Sequence, residues 1–430
     1  MAAEQSGRVL SPAARRRAIT ACLLGNLFEL FDFGVYAYFA VQIGKAIFPS
    51  PDPVTSILAS FATYGVGFLM RPVGAMVLGS YGDRHGRKAA LALTITLMAV
   101  ATGLTGLVPS YDAIGLWAPA LLVVFRLLQG FSTGGEWGGA ATFLVEHAPA
   151  DCKGFYGSLQ QLSTGVAQIL AISSALLLNA VLSTPDLEAW GWRLPFLVGF
   201  VLAPIGYYLR SRVEESPEYR QSALERRAPP APLRAAFTEH RAAVLTCFGL
   251  TMIWTVANYV FISFLPTFAV QSLGMAPTAA LSATVCASLA NILVIPLSGL
   301  ASDRWGRAPL VVSAAGFAAL SVPLFLLLSA APSFATLAAV SVVAGAMYGL
   351  YNGAAPAVLC ALFPTRVRYT ALSVGYNGAV MIFGGFAPLV STVLVRETGS
   401  PIAPSFYVVA CALVSLAVLW RPRPPMVAAA

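Results

Sequence analysis

Long apolar runs recur about a dozen times along this chain, each close to the roughly 20 residues a helix needs to cross a bilayer. Lipid offers no partner for backbone N–H and C=O groups, so runs of this kind are read as helices that satisfy their own hydrogen bonds. The expected fold class is an all-α membrane protein. Composition agrees: 58% of the 430 residues are hydrophobic and 10% are charged, whereas a soluble domain carries about 25% charged residues. The net charge of +8 does not point to nucleic acid, because the basic residues sit in short loops. No metal-ligand spacing or CxxC pair joins Cys22, Cys152, Cys247, Cys286, Cys360 and Cys411, which read as small packing residues.

The spans are expected at 18–43, 54–80, 89–110, 116–143, 155–181, 191–211, 242–270, 278–300, 308–330, 334–361, 369–395 and 402–420. That gives twelve transmembrane helices in two six-helix bundles, 18–211 and 242–421. A polar segment, 212–241, links them, and 1–17 and 422–430 are short tails. The run after the basic N-terminus is too long for a removable signal and is read as the first span. Of the 26 Lys and Arg residues, 21 fall in the tails and even-numbered loops, against Lys45, Arg193 and Arg396 on the other side. The positive-inside rule then places both termini in the cytoplasm.

The halves share a repeat. "GSYGDRHGRKAAL" (Gly79–Leu91) follows span 2, and "GLASDRWGRAPLV" (Gly299–Val311) follows span 8. Gly79, Asp83, Arg84, Gly86, Arg87 and Lys88 in the first copy correspond to Asp303, Arg304 and Arg307 with their glycines in the second. Such a loop suits a gate: glycine permits close helix approach, and an Asp can accept bonds from the exposed N–H groups of the next helix.

At these loops the chain resembles the major facilitator superfamily. It resembles more narrowly the metabolite:proton symporters, carriers of citrate, 2-oxoglutarate, shikimate, and proline or betaine. The resemblance runs through "GNLFELFDFGVY", "GFLMRPVGAMVLGSYGDRHGRK", "RLLQGFSTGGEWGGAATFLVEHAP", "GFYGSLQQ" and "FPTRVRYTALSVGYN". It implies two bundles, alternating access and proton-coupled uptake across a plasma membrane, here a bacterial inner membrane. The C-terminus lacks the long heptad-bearing tail frequent in osmosensory betaine carriers.

Charged residues inside spans are costly and mark function. Five lie well inside, namely Glu29, Asp32, Arg71, Arg126 and Glu136, all in the first half. Glu29, Asp32 and Tyr36 share one helical face, as do Arg126, Gln129, Thr133 and Glu136. His85, His147 and His240 lie in loops or at span ends, so a carboxylate is the expected proton carrier: Asp32 first, then Glu29, then Glu136. Arg126 is the candidate partner for a substrate carboxylate, and Arg71 a candidate for a buried ion pair. Tyr36, Gln129, Gln160 and Gln161 are further candidate cavity contacts, with Asn258, Tyr259, Tyr351, Asn352, Tyr376 and Asn377 from the later spans. "GFSTGGEWGGAA" has no P-loop lysine and reads as close helix contact.

The leading expectation is symport of a proton and a small organic acid. The alternative is a carrier of proline- or betaine-type zwitterions, and a non-transporting sensor is a lesser one. The expected partners are the substrate, the proton and the lipid bilayer. No enzyme activity, metal or cofactor is expected, Na⁺ remains open as the coupling ion, and a monomer is expected.

Overall fold

The computed structural model describes residues 12–85, 87–146, 148–211 and 238–420. The side chains of Glu29, Asp83, Arg84, Arg87 and Lys88 and the surroundings of Gly79, together with Gly86 and most of the 212–241 linker, lie outside the described residues. What is described is helical, with no strand among those residues.

Twelve helical spans follow in chain order. Span 1 is Pro12–Tyr38 continued by Ala40–Ile47, and span 2 is Pro53–Leu69 continued by Arg71–His85. Span 3 is Arg87–Leu107, and span 4 is Trp117–Gly134 followed, after a break, by Trp137–Glu146. Spans 5 and 6 are Lys153–Val181 and Leu194–Ser211. Span 7 runs from Arg241 to Leu273 through a π-helical segment at Tyr259–Phe264. Spans 8, 9 and 10 are Pro277–Trp305, Ala308–Ala330 and Phe334–Cys360. Span 11 runs from Thr365 to Thr398 through a second π-helical segment at Val380–Gly384, and span 12 is Ala403–Trp420. Among the described residues, eight helices are long and apolar enough to cross a membrane, and Leu93–Leu107 and Gly191–Val201 are shorter apolar stretches.

Glycine sets the packing between spans 2 and 4. A Cβ placed on Gly130 would lie 1.5 Å from the Gly67 carbonyl oxygen, and one on Gly134 would lie 1.9 Å from that of Arg71. Backbones touch there, as expected where lipid supplies no hydrophobic drive between helices and small residues permit close packing. Spans 8 and 10 repeat the device. Cβ atoms on Gly345, Gly349 and Gly353 would meet the carbonyl oxygens of Ala287, Asn291 and Ile295 at 2.1, 2.8 and 2.1 Å.

Each π segment precedes a proline, Pro266 in span 7 and Pro388 in span 11. Proline has no N–H to bond the carbonyl four residues back. In span 7 that carbonyl, on Ile262, accepts instead from the Tyr38 hydroxyl of span 1 at 3.4 Å.

The halves meet at both ends. At the end where the repeated loops lie, the Asp303 carboxylate accepts from the N–H groups of Gly154 (2.6 Å) and Phe155 (3.0 Å). Those donors open span 5, so the Asp caps a helix of the other half rather than the next helix in its own. At the opposite end Phe61 packs on Phe264, with ring centroids 6.5 Å apart, and Arg396 lies 3.7 Å from Asp52. Asp52 is held below the ordinary carboxylate range by its bonds from the Thr55 hydroxyl and the Val54 N–H.

Candidate functional site

A central cavity lies between the halves. Span 1 contributes Asn26, Leu30 and Phe33 to its wall, and span 2 contributes Tyr64 and Arg71. From span 4 come Thr133 and Trp137, and from span 5 Gln161, Thr164 and Gln168. Span 7 adds Trp254, Asn258 and Tyr259, span 10 adds Tyr348, and span 11 adds Tyr376.

Polar side chains fix much of this wall. Gln168 donates to Asn258 across the halves at 2.9 Å. Asn26 donates to Ser163 and Thr164 at 2.8 and 3.1 Å, tying span 1 to span 5. Trp254 donates its indole N–H to the Asn352 carbonyl at 2.9 Å, and Asn352 donates onward to Asn291 at 3.4 Å. Trp137 stacks on Tyr376 with centroids 3.7 Å apart and planes 10° apart. Trp254 stands edge-on to Trp137 at 5.6 Å.

The charged residues separate into two settings. Asp32 and Arg126 are buried together behind the wall, with side chains 2% and 0% exposed and an Oδ2–Nη1 distance of 3.5 Å. The same Asp32 oxygen accepts from Gln129 at 2.6 Å, and Gln129 also donates to the Thr102 hydroxyl at 3.0 Å. Asp32 Oδ1 has no hydrogen-bond partner. The Arg126 guanidinium lies 4.1 Å above the Tyr36 ring, whose hydroxyl donates to the Ser60 carbonyl at 3.1 Å. Arg71, by contrast, lines the cavity.

Of the expected cavity contacts, Gln161, Asn258, Tyr259 and Tyr376 lie on the wall. Arg126 and Gln129 meet Asp32 instead, and the Tyr36 ring lies against the Arg126 guanidinium. Gln160 donates to the Trp137 carbonyl at 3.3 Å, and Tyr351 to that of Leu250 at 2.6 Å. Asn352 braces Trp254. Asn377 spans the halves, donating to Ser373 at 3.0 Å and Gly134 at 3.4 Å. Glu136 is buried at the break in span 4, so its helical phase with Arg126 is interrupted. In the second repeat loop Arg304 is exposed, Arg307 is half-buried and Gly306 takes a left-handed φ of 59° that ends span 8. Gln168 and Tyr348 are wall residues that the sequence reading did not single out. For Gln168 a signal exists: Gln161, Thr164 and Gln168 fall at i, i+3 and i+7, one helical face.

Two helical halves closing on a polar, aromatic-lined cavity define a transporter of the alternating-access kind. Family models agree: residues 17–229 match "Sugar (and other) transporter" and residues 255–430 match "Major Facilitator Superfamily". The chain is 37% identical to a citrate-proton symporter of Klebsiella pneumoniae, over 95% of this chain and 92% of that one. It is 34% identical to a proline/betaine transporter of Escherichia coli K12, over 95% and 83%. Among solved structures, the proton:xylose symporter XylE superposes with a TM-score of 0.79 at 17% identity, covering 96% and 97%, and shows the fold. This chain belongs to the major facilitator superfamily and, within it, to the metabolite:proton symporters. It is a multi-pass membrane carrier that works by proton-coupled symport, not an enzyme.

Proposed function

We propose that the chain takes up one small carboxylate-bearing metabolite with a proton, and that Asp32 carries that proton. The supporting observation is the buried Asp32–Arg126 pair beside the cavity. A carboxylate out of water favours its neutral form, and a neighbouring guanidinium favours the ionised one. Small changes in that balance load or unload a proton. Gln129, itself bonded to Thr102, holds one carboxylate oxygen, and the other is the proton's landing place. Phe33 joins the two settings, with the Arg71 guanidinium 4.8 Å and the Arg126 guanidinium 5.9 Å from its ring. A substrate that moves the Arg71 side of this ring thereby changes the packing on Asp32's counter-ion. Glu29 and Glu136 are the next candidates for the proton. The coupling ion is H⁺ and no cofactor takes part. One chain encloses the cavity, so a monomer suffices.

The test is uptake into proteoliposomes holding the purified chain. An inward proton gradient should drive accumulation of citrate or glycine betaine above the medium level, and a protonophore should abolish it. Uptake of either that ignores the protonophore and follows a Na⁺ gradient would overturn the choice of ion. No gradient-driven uptake of any organic acid or zwitterion would overturn the reading itself.

A further inference from the structure

At the end opposite the repeated loops, span 2 meets span 7 mostly ring on ring. Phe61 packs on Phe264, and Tyr259 stands edge-on to Tyr64 and Phe68 with centroids 6.1 and 5.5 Å apart. Ring contacts hold over centroid distances of about 4.5–7 Å, so they tolerate sliding. The contact of Tyr38 with Ile262 is directional instead. The Tyr38 hydroxyl of span 1 donates to the Ile262 carbonyl of span 7, and the bond runs from one half to the other. Tyr38 follows Asn26, Leu30 and Phe33 along span 1 and is the last of its cavity-lining residues. The bond therefore sits at the edge of the cavity on the side of that end.

The carbonyl needs an outside donor for a local reason. Pro266 offers it no N–H within span 7. Ile262 is fully buried, and a buried carbonyl without a partner is costly. Span 11 meets the same need within its own half. There the Phe383 carbonyl, five residues before Pro388 in the wider π register, accepts from the Tyr407 hydroxyl of span 12 at 2.9 Å. That bond does not cross between the halves. The Tyr38 bond does, so it breaks when the halves part at this end, and water then serves the carbonyl. At 3.4 Å it is longer than a usual hydroxyl bond of about 2.7–2.8 Å, so it is broken cheaply.

We propose that Tyr38 is a latch of the transport cycle: its hydroxyl holds the cavity closed at the Asp52–Arg396 end by serving a span 7 carbonyl that Pro266 cannot serve. Tyr38 acts here as a positioning residue, through span 7 and not through the substrate. Removing the hydroxyl leaves the carbonyl unpartnered in the closed state alone, and the population shifts toward opening at that end. This role is independent of which ion or substrate the chain carries.

Sided thiol labelling of the full chain tests the latch. A cysteine introduced at Thr164, on the cavity wall, reports access from either end in sealed vesicles of the two orientations. The reagent is membrane-impermeant, and the chain without that cysteine gives the background. Tyr38→Phe should speed labelling from the Asp52–Arg396 end about 2- to 10-fold and should not speed it from the other end. A chain merely loosened would label faster from both. Pro266→Ala returns an N–H to span 7 and satisfies the carbonyl in both states. It should act in the same direction, and adding Tyr38→Phe to it should change little more; it also provides the reading if Tyr38→Phe does not fold. Tyr407→Phe breaks the bond that stays within one half and should leave the ratio of the two rates unchanged. Unchanged labelling in Tyr38→Phe, an equal rise from both ends, effects of Tyr38→Phe and Pro266→Ala that simply add, or the same sided rise in Tyr407→Phe would each overturn the latch. These measurements need neither substrate nor a proton gradient, so their failure leaves symport standing, and failed uptake leaves the latch standing.

Discussion

Arg71 and Arg126 carry the same guanidinium into the membrane and meet different neighbours. Arg126 is closed off with Asp32, Gln129 and the Tyr36 ring, while Arg71 faces the cavity between two phenylalanines. Removing one partner of a buried ion pair leaves an uncompensated charge, at a cost of about 3–5 kcal/mol. Arg126→Gln should therefore lower the chain's thermal midpoint clearly, and Asp32→Asn with Arg126→Gln should recover most of the loss. Thermal unfolding in detergent checks this. An unchanged midpoint in the single variant would mean that the pair contributes nothing. That five charged residues lie inside spans was legible in the sequence, as was the grouping of Arg126 with Gln129. Which interior they enter was not. A membrane helix of a bundle has one face toward its own bundle and another toward the cavity, and residue spacing alone does not separate them.

Between residues and the whole lies the span, and there glycine is decisive. The run "GFSTGG" carries Gly130 and Gly134, which put span 4 in backbone contact with span 2 at Gly67 and Arg71. Gly134→Ala should press its methyl onto the Arg71 carbonyl, separate the spans and destabilise the chain by about 1–3 kcal/mol. It should also disturb uptake, because Arg71 lines the cavity and moves with its backbone. The check pairs a thermal midpoint with the proteoliposome assay. The sequence reading anticipated close helix contact here, because small residues without a phosphate-binding lysine have little else to do in a membrane. It could not identify the partner span. The same holds for Asp303, whose capping role was expected on the next helix and is exercised on span 5. Asp303→Ala removes an N-terminal cap worth about 1 kcal/mol. It should favour opening at that end, read as faster labelling of a cysteine introduced at Thr164 by a membrane-impermeant thiol reagent added from that side. The π segments were invisible in advance. Pro266 and Pro388 announce a disturbed helix, but not the form the disturbance takes.

Across the whole molecule the halves touch at both ends and enclose the cavity between them. The Asp52–Arg396 contact joins the halves at one end, so it competes with Asp32 as the origin of any pH dependence. The two can be separated. Asp52 has a carboxyl held below its ordinary value, so any stabilisation it gives is complete above that value and fades only as pH falls through the lowered one. Asp52→Asn should thus leave the pH profile of uptake unshifted over about pH 5 to 8, and a moved midpoint would assign the pH response to Asp52. The most direct measurement compares two assays on Asp32→Asn, with Arg126→Gln added to keep the site neutral. If Asp32 carries the proton, the variant exchanges labelled for unlabelled substrate by counterflow but no longer accumulates it under a proton gradient. Gradient-driven accumulation at the wild-type level, with wild-type sensitivity to a protonophore, would contradict that role and place the proton elsewhere.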